Sequence, residues 1–193
     1  MSAKTGRNKS KKNKSEEQYR ADYLAIEKDA DNFLDLVCAD ITEFKTAEGK
    51  LYLSGCIDVA TRMLVSHKIS TDMKQHIVQE PIIDIVKRYG TPKMYHCDRG
   101  SQYVAIKTKE LLDSYGITIS MSMPHTPNNN QIIESFWSTL KREMESICKM
   151  TRNEAKETIE LYIYFYNTIR LHSSIGYETP IDKKRLLTAS SEE

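Results

Sequence analysis

Three carboxylates in this 193-residue chain stand where the surrounding sequence does not favour them. Asp40 interrupts an apolar run, Leu36-Val37-Cys38-Ala39 before it and Ile41 after it, with the composition of a buried strand. An unpaired buried carboxylate is costly and calls for a partner such as a cation, unless it reaches water at a strand end. Asp98 directly follows the strand-like Lys93–Cys97 and precedes Arg99-Gly100-Ser101. The carboxyl end of a sheet strand is where α/β proteins place ligands, although aspartate before a glycine-containing stretch also makes ordinary turns. Glu134 lies near the start of a helical segment, where a glutamate can simply complement the helix dipole. Each has an ordinary explanation when taken singly. Together, two strand-borne aspartates and one helix-borne glutamate can converge at one edge of a sheet. Three hard oxygen ligands with open positions suit Mg²⁺ or Mn²⁺. Two such ions about 3.5–4 Å apart would stabilise the attacking and leaving oxygens of an in-line phosphodiester displacement.

Other groups cluster around these three. Glu134, Ser138, Lys141 and Glu145 recur at helical steps on one face, which puts Lys141 two turns beyond Glu134. There it either reaches a nucleic-acid phosphate or is solvated. Arg99, Ser101 and Gln102 follow Asp98 and could orient it, contact a DNA backbone or cap a helix. Phe136 reads as core, while Trp137 is open between core and a stacking surface. Farther on, Tyr166, Asn167, Arg170 and His172 form a second polar cluster. Asn167 reads as structural; Arg170 and His172 serve DNA or tie the last helix to the sheet. Two competing carboxylates fit less well. Asp58 sits at a hairpin four residues before Arg62, suited to a turn or an ion pair, and Glu143 falls off the face of Glu134.

The elements that must position these residues follow from periodicity. Strands are predicted over 34–44, 50–60 and 63–70 on short turns, an antiparallel meander. A helix follows over 72–89, which Pro81 should kink or split before Gly90 ends it. A strand over 93–97, a helix over 102–115 and a strand over 117–122 come next. The loop Met-Pro-His-Thr-Pro-Asn-Asn-Asn-Gln, with Asn128–Asn130 supplying turn and capping chemistry, leads into a helix through about 148. Thr151 and Glu154 form a capping box for a final helix to about Arg170. The order βββαβαβα predicts an α/β fold, a ribonuclease-H-like five-stranded mixed sheet flanked by helices. Residues 1–33 form a basic, largely disordered arm and linker, 34–182 the core, and 183–193 a tail.

Composition narrows the class without naming a function. Hydrophobic residues make up 39% and charged residues 28%, the mix of a globular domain. No apolar run approaches the ~20 residues of a membrane span, and the basic N-terminus lacks the apolar core of a secretory signal. The expected location is therefore the cytoplasm. Net charge is +1, but residues 1–20 carry +5, which suits phosphate contact or a solvated tail. Cys38, Cys56, Cys97 and Cys148 lack metal-ligand spacing, so reduced thiols are expected rather than a zinc site with His96.

Several segments taken in order resemble a known family, the DDE transposases of bacterial insertion sequences, which share a retroviral-integrase-like core. The match is closest to the insertion sequence 3 group. The segments are ADIT at 39–42, LYLSGCIDVATRMLVS at 51–66, HCDRGSQY at 96–103, SMS at 120–122, ESFWSTLKREM at 134–144 and YFYNTIRLHSSIGYETP at 164–180. Thirty-five residues separate Asp98 from Glu134, the spacing in the family's D,D-35-E pattern. The resemblance covers residues 35–181 and implies a metal-dependent polynucleotidyl transferase that cleaves and joins DNA at element ends. Asp40 would bridge two Mg²⁺ or Mn²⁺ ions, with Asp98 and Glu134 each holding one. Lys141, Arg99, Gln102, Arg170 and His172 are the expected DNA contacts. A homo-oligomer acting near the bacterial nucleoid is also implied. Relatives usually carry an N-terminal helix-turn-helix region ahead of the core. Only a short tail precedes it here, which leaves open a fragment or a separately encoded helix-turn-helix subunit. One departure matters. Where many relatives carry glycine, then aspartate followed by asparagine, this chain has His125, Asn129 and Asn130. That departure and the missing upstream domain leave open a catalytically silent DNA-binding remnant, and a ribonuclease-H-like nuclease that does not join strands, sharing triad and fold, also stays open.

Overall fold

The first three strands form a meander because each carries a run of apolar residues that can bury both faces and because short polar turns separate them. β1 (Leu36–Thr46), β2 (Gly49–Asp58) and β3 (Leu64–Ser70) pair antiparallel. The computed structural model describes residues 30–122 and 130–189. After β3 come α1 (His76–Tyr89), β4 (Met94–Cys97), α2 (Ser101–Val104), α3 (Ile106–Ser114) and β5 (Thr118–Met121). They are followed by α4 (Gln131–Glu143), α5 (Arg152–Thr168) and α6 (Pro180–Ala189). β4 and β5 join in parallel, giving the sheet order β3-β2-β1-β4-β5 with β1 at its centre.

Strand alternation assigns the two faces of this sheet. Leu36 and Cys38 of β1 point into a cluster with Ile133, Phe136, Trp137 and Leu140 of α4 and Ile159 and Ile163 of α5. Val37 and Ala39 point the other way, toward Ile77, Val78, Ile82 and Ile85 of α1. Asp40 shares the parity of Cys38, so its carboxylate stands where the pattern calls for an apolar side chain beneath α4.

The predicted strand order holds, and element ends differ by a few residues. The first helix begins at His76 and runs unbroken through Pro81, whose ring is buried on the sheet side with Ile77 and Ile82. The helix expected over 102–115 is instead two, interrupted at Ala105, which has an extended ψ of 137°. α4 ends at Glu143, and a 3-10 turn over Glu145–Lys149 completes the segment expected as helix. The capping box is present as expected, with Thr151 and Glu154 bonded reciprocally. The last helix continues to Ala189, seven residues beyond the boundary expected at 182. Its start carries a local signal: the Asp182 amide donates to Thr179 Oγ1, with Pro180 as the first helical residue. At the other end, Ala30 and Leu34 are already buried. The basic arm at 1–29, His125, Asn128, Asn129 and residues 190–193 lie outside the described residues. Among the described residues, no helix is long and apolar enough to cross a membrane.

Candidate active site

Parallel pairing of β1 with β4 sets the centre of the site. The register matches Ala39 with Cys97, so Asp40 and Asp98 are the next pair on adjacent strands. Parallel strands lie about 4.8 Å apart, and facing residues project to the same side, which brings these two carboxylates together. Asp98 is exposed just beyond β4, and the Gly100 amide donates to its Oδ1 at 2.8 Å. Asp40 is more enclosed.

α4 supplies the remaining parts. Glu134 is exposed in its first turn. Three residues on, the buried indole of Trp137 donates through Nε1 to Asp40 Oδ2 at 3.0 Å. The indole fits there because the residue paired with Asp40 on β2 is Gly55. A Cβ at that position would stand 2.6 Å from Trp137 Cη2. Asn130, just before the helix, makes no side-chain cap bond; its Nδ2 donates instead to the Ala39 carbonyl at 3.2 Å. The capping expected of it is thus replaced by a tether between α4 and the strand residue preceding Asp40.

Electrostatics single out Asp40. Burial, with the charges of Asp98 and Glu134, pushes its carboxyl up to about 6 against hydrogen bonds from the Ile41 amide and the Trp137 indole. None of the ion pairs among the described residues involves Asp40, Asp98 or Glu134. Three uncompensated carboxylates, one of them sunk into the core, form a donor set that fits a hard divalent cation. Among the described residues no three His, Cys, Asp or Glu side chains are close enough together to hold a metal ion. The charge of Glu134 is felt at Asp40, but the three do not form a closed cage. Mutual repulsion opposes such closure without a cation.

The other expected site residues divide into two groups. Arg99 Nε donates to the Ser122 carbonyl at 3.1 Å, and Gln102 Nε2 donates to the Met73 carbonyl at 3.0 Å, so both brace loops beside Asp98. Lys141 is exposed, with its ammonium 5.9 Å from the centre of the Phe44 ring, four residues along β1 from Asp40. Arg170 Nη1 donates to both Glu143 oxygens, at 2.9 and 2.7 Å, and Tyr162 donates to the same carboxylate at 2.9 Å. Glu143, the decoy in the sequence, is therefore the anchor of Arg170. His172 packs edge-on against Tyr166 at 4.6 Å. Asn167 is used structurally, its amide exchanging two 3.0 Å bonds with the backbone of Leu64 on edge strand β3. His96 bonds Ser120 and Ser122 across β4 and β5, a satisfied core histidine.

Sequence reasoning missed the Trp137–Gly55–Asp40 contact. Its available signals were a glycine inside a strand, which marks close approach, and a tryptophan three residues from the helix-borne carboxylate.

Comparison with known proteins bears on this arrangement. Two family profiles, each described as an integrase core domain, match residues 33–127 and 115–180. The transposase for insertion sequence element IS904 of Lactococcus lactis is 37% identical over 147 residues, covering 74% of this chain and 58% of that protein. A 31 kDa protein of insertion element IS600 from Shigella sonnei is 36% identical over 146 residues, covering 74% of this chain and 54% of that protein. The chain thus spans a little over half the length of these relatives. Among solved structures, the HTLV-2 integrase catalytic core domain in complex with magnesium, in a dimeric form, superposes with a TM-score of 0.61 at 14% identity. It covers 79% of this chain and 97% of that one, a likeness of the ribonuclease-H-like fold.

Proposed function

The chain belongs to the integrase-core family of DDE transposases, within the insertion sequence 3 group, and from that premise we propose that it is the catalytic core of an enzyme that cleaves and joins DNA at insertion-sequence ends. The observation that carries this reading is the register that sets Asp98 beside Asp40, beneath the helix bearing Glu134. Mg²⁺ or Mn²⁺ held by Asp40, Asp98 and Glu134 would supply Lewis-acid stabilisation of the charge that develops when a phosphodiester oxygen is attacked and displaced. Asp40, the most enclosed of the three, would help to hold these ions.

The chain's own part is to hold these ligands. The Trp137 indole fixes Asp40 Oδ2, and the Ile41 amide adds a second hydrogen bond to the carboxylate. Gly100 steadies Asp98 through one oxygen. The Asn130 tether keeps the N-terminus of α4, and with it Glu134, close to the strand residue preceding Asp40. Water attacks in the cleavage step and a DNA 3′-hydroxyl in the joining step, so no covalent enzyme intermediate is required. DNA is the proposed substrate and partner, a second copy of the chain a proposed partner, and the bacterial cytoplasm the proposed location.

Asp98→Asn is the direct test on end-bearing oligonucleotides. Joined products are expected from the wild type with Mg²⁺ and none from the variant. Wild-type joining by the variant would overturn the assignment, and cleavage without joining by the wild type would reduce it to a nuclease.

A further inference from the structure

A cleft of about 520 Å³ opens on the side of α4 turned toward residues 170–174, away from the face that carries Glu134 and Lys141. Its lining includes Arg62, Arg170 and His172, the hydroxyls of Ser135, Thr139 and Ser173, and no Asp or Glu. Two nitrogens there are buried without a hydrogen-bond partner, Arg62 Nη1 and His172 Nε2. A buried guanidinium N–H left unpaired is costly and is usually satisfied by a carboxylate, a carbonyl or a bound anion. Arg170 is already aimed, since Glu143 holds its guanidinium through Nη1.

Arg62 is held in this position at a cost. Its φ of +60° lies in the left-handed region, and its amide donates to the Asp58 carbonyl at 2.9 Å in the β2–β3 turn. Glycine or asparagine would occupy such a site more cheaply. Arg62 lines this cleft and a neighbouring one that holds Asp31 and Glu178, and among the described residues it forms an ion pair with neither acid. A strained arginine with an unpaired, buried N–H is matched to an oxyanion.

We propose that this cleft binds a phosphate group, with Arg62 as its principal donor and Arg170 and the α4 hydroxyls completing the cradle. Phosphodiester and free phosphate share this chemistry. The DNA backbone is the source that fits the function proposed above, on which this choice of source rests, because Ser135 of the cleft directly follows Glu134. A duplex engaged at the carboxylates would continue across α4, and one of its phosphates would be fixed away from the reacting bond. That contact positions the strand without reading its sequence.

The test is metal-free binding of a fluorescent duplex oligonucleotide to the full chain over a salt series. Losing one phosphate contact should lower the slope of log affinity against log salt by about 0.9. Arg62→Gln is expected to show that drop, and Arg62→Lys to recover most of it. Ser135→Glu, at an exposed helix position, puts a negative charge in the cleft without disturbing the β2–β3 turn and should weaken binding several-fold. It keeps the test decisive if Arg62→Gln fails to fold. Unchanged DNA binding in folded variants, together with a rise in melting temperature on adding inorganic phosphate that Arg62→Gln abolishes, assigns the cleft to free phosphate. No effect on either readout overturns the proposal. Because no metal or turnover is involved, wild-type DNA binding with no strand transfer would defeat the proposed function and leave the cleft standing.

Discussion

Asp58 in the β2–β3 turn and Asp40 on β1 are both strand aspartates whose carboxyls burial pushes up to about 6. Their surroundings differ. Asp58 is fully buried and spends both oxygens on the protein: the Leu34 amide donates to Oδ2 at 2.9 Å, and the Thr61 amide and hydroxyl donate to Oδ1 at 2.9 and 2.6 Å. Asp40 has two donors, the Trp137 indole and the Ile41 amide, against three for Asp58, and it has two acidic neighbours. The first carboxylate closes a turn and ties it to the chain entering β1. The second is left short of donors beside like charges, an arrangement that gains stability only when a cation arrives. A raised carboxyl pKa is thus common to both acids, while burial, the number of donors and the acidic neighbours set the proposed ligand apart from the structural acid.

The largest expected effect breaks the pair apart. Asp40→Asn should lower Mg²⁺-dependent strand transfer by about a thousandfold or more. Its melting temperature should hold or rise, since the change removes a repelling charge. Asp58→Ala should do the reverse, losing about 2–4 kcal/mol in denaturant unfolding by orphaning two buried amides and a hydroxyl, with activity per folded molecule unchanged. Equal loss of activity in both variants would erase the distinction.

A pH series sharpens it. Because the folded Asp58 pKa of about 6 lies above its ordinary 3.8, the native state holds the proton more tightly. Its contribution to stability is therefore full below about pH 4 and is lost as pH rises to about 6, by up to about 3 kcal/mol. The stability difference between wild type and Asp58→Asn should follow that curve, measured by urea unfolding across the interval. Added Mg²⁺ should leave this difference unchanged while flattening the corresponding difference for Asp40→Asn. An Mg²⁺ effect on the Asp58 curve would argue against the separation.

Smaller effects test what holds Asp40. Gly55→Ala would force a Cβ against Trp137 and should cost about 1–3 kcal/mol while displacing the indole. Trp137→Phe keeps most of the packing and drops the hydrogen bond, with about 1 kcal/mol or less lost in unfolding and a several-fold fall in joining rate.

Much of this was legible in the sequence, for physical reasons. A continuous apolar run marked β1 as a buried strand, and an aspartate inside it stood out because burying a charge is costly. Short polar turns announced the meander, and the spacing from Asp98 to Glu134 added to the family resemblance. Contacts that depend on long-range packing were not legible. Trp137 reaches Asp40 across 97 positions, and only the folded register reveals that Gly55 makes room for it. Glu143 looked like a decoy because its partner Arg170 is 27 residues away. The helix break at Ala105 had no Pro or Gly to announce it.

Trp137 is the only tryptophan in the chain, and its indole N–H is bonded to the most enclosed carboxylate of the site. Indole emission responds to nearby charge and to the strength of that bond, so the protein carries a single indole, excitable apart from its eleven tyrosines, against the proposed ligands. Titrating a divalent ion while watching its colour and intensity would report occupancy of the centre in real time, without a label, a substrate or turnover.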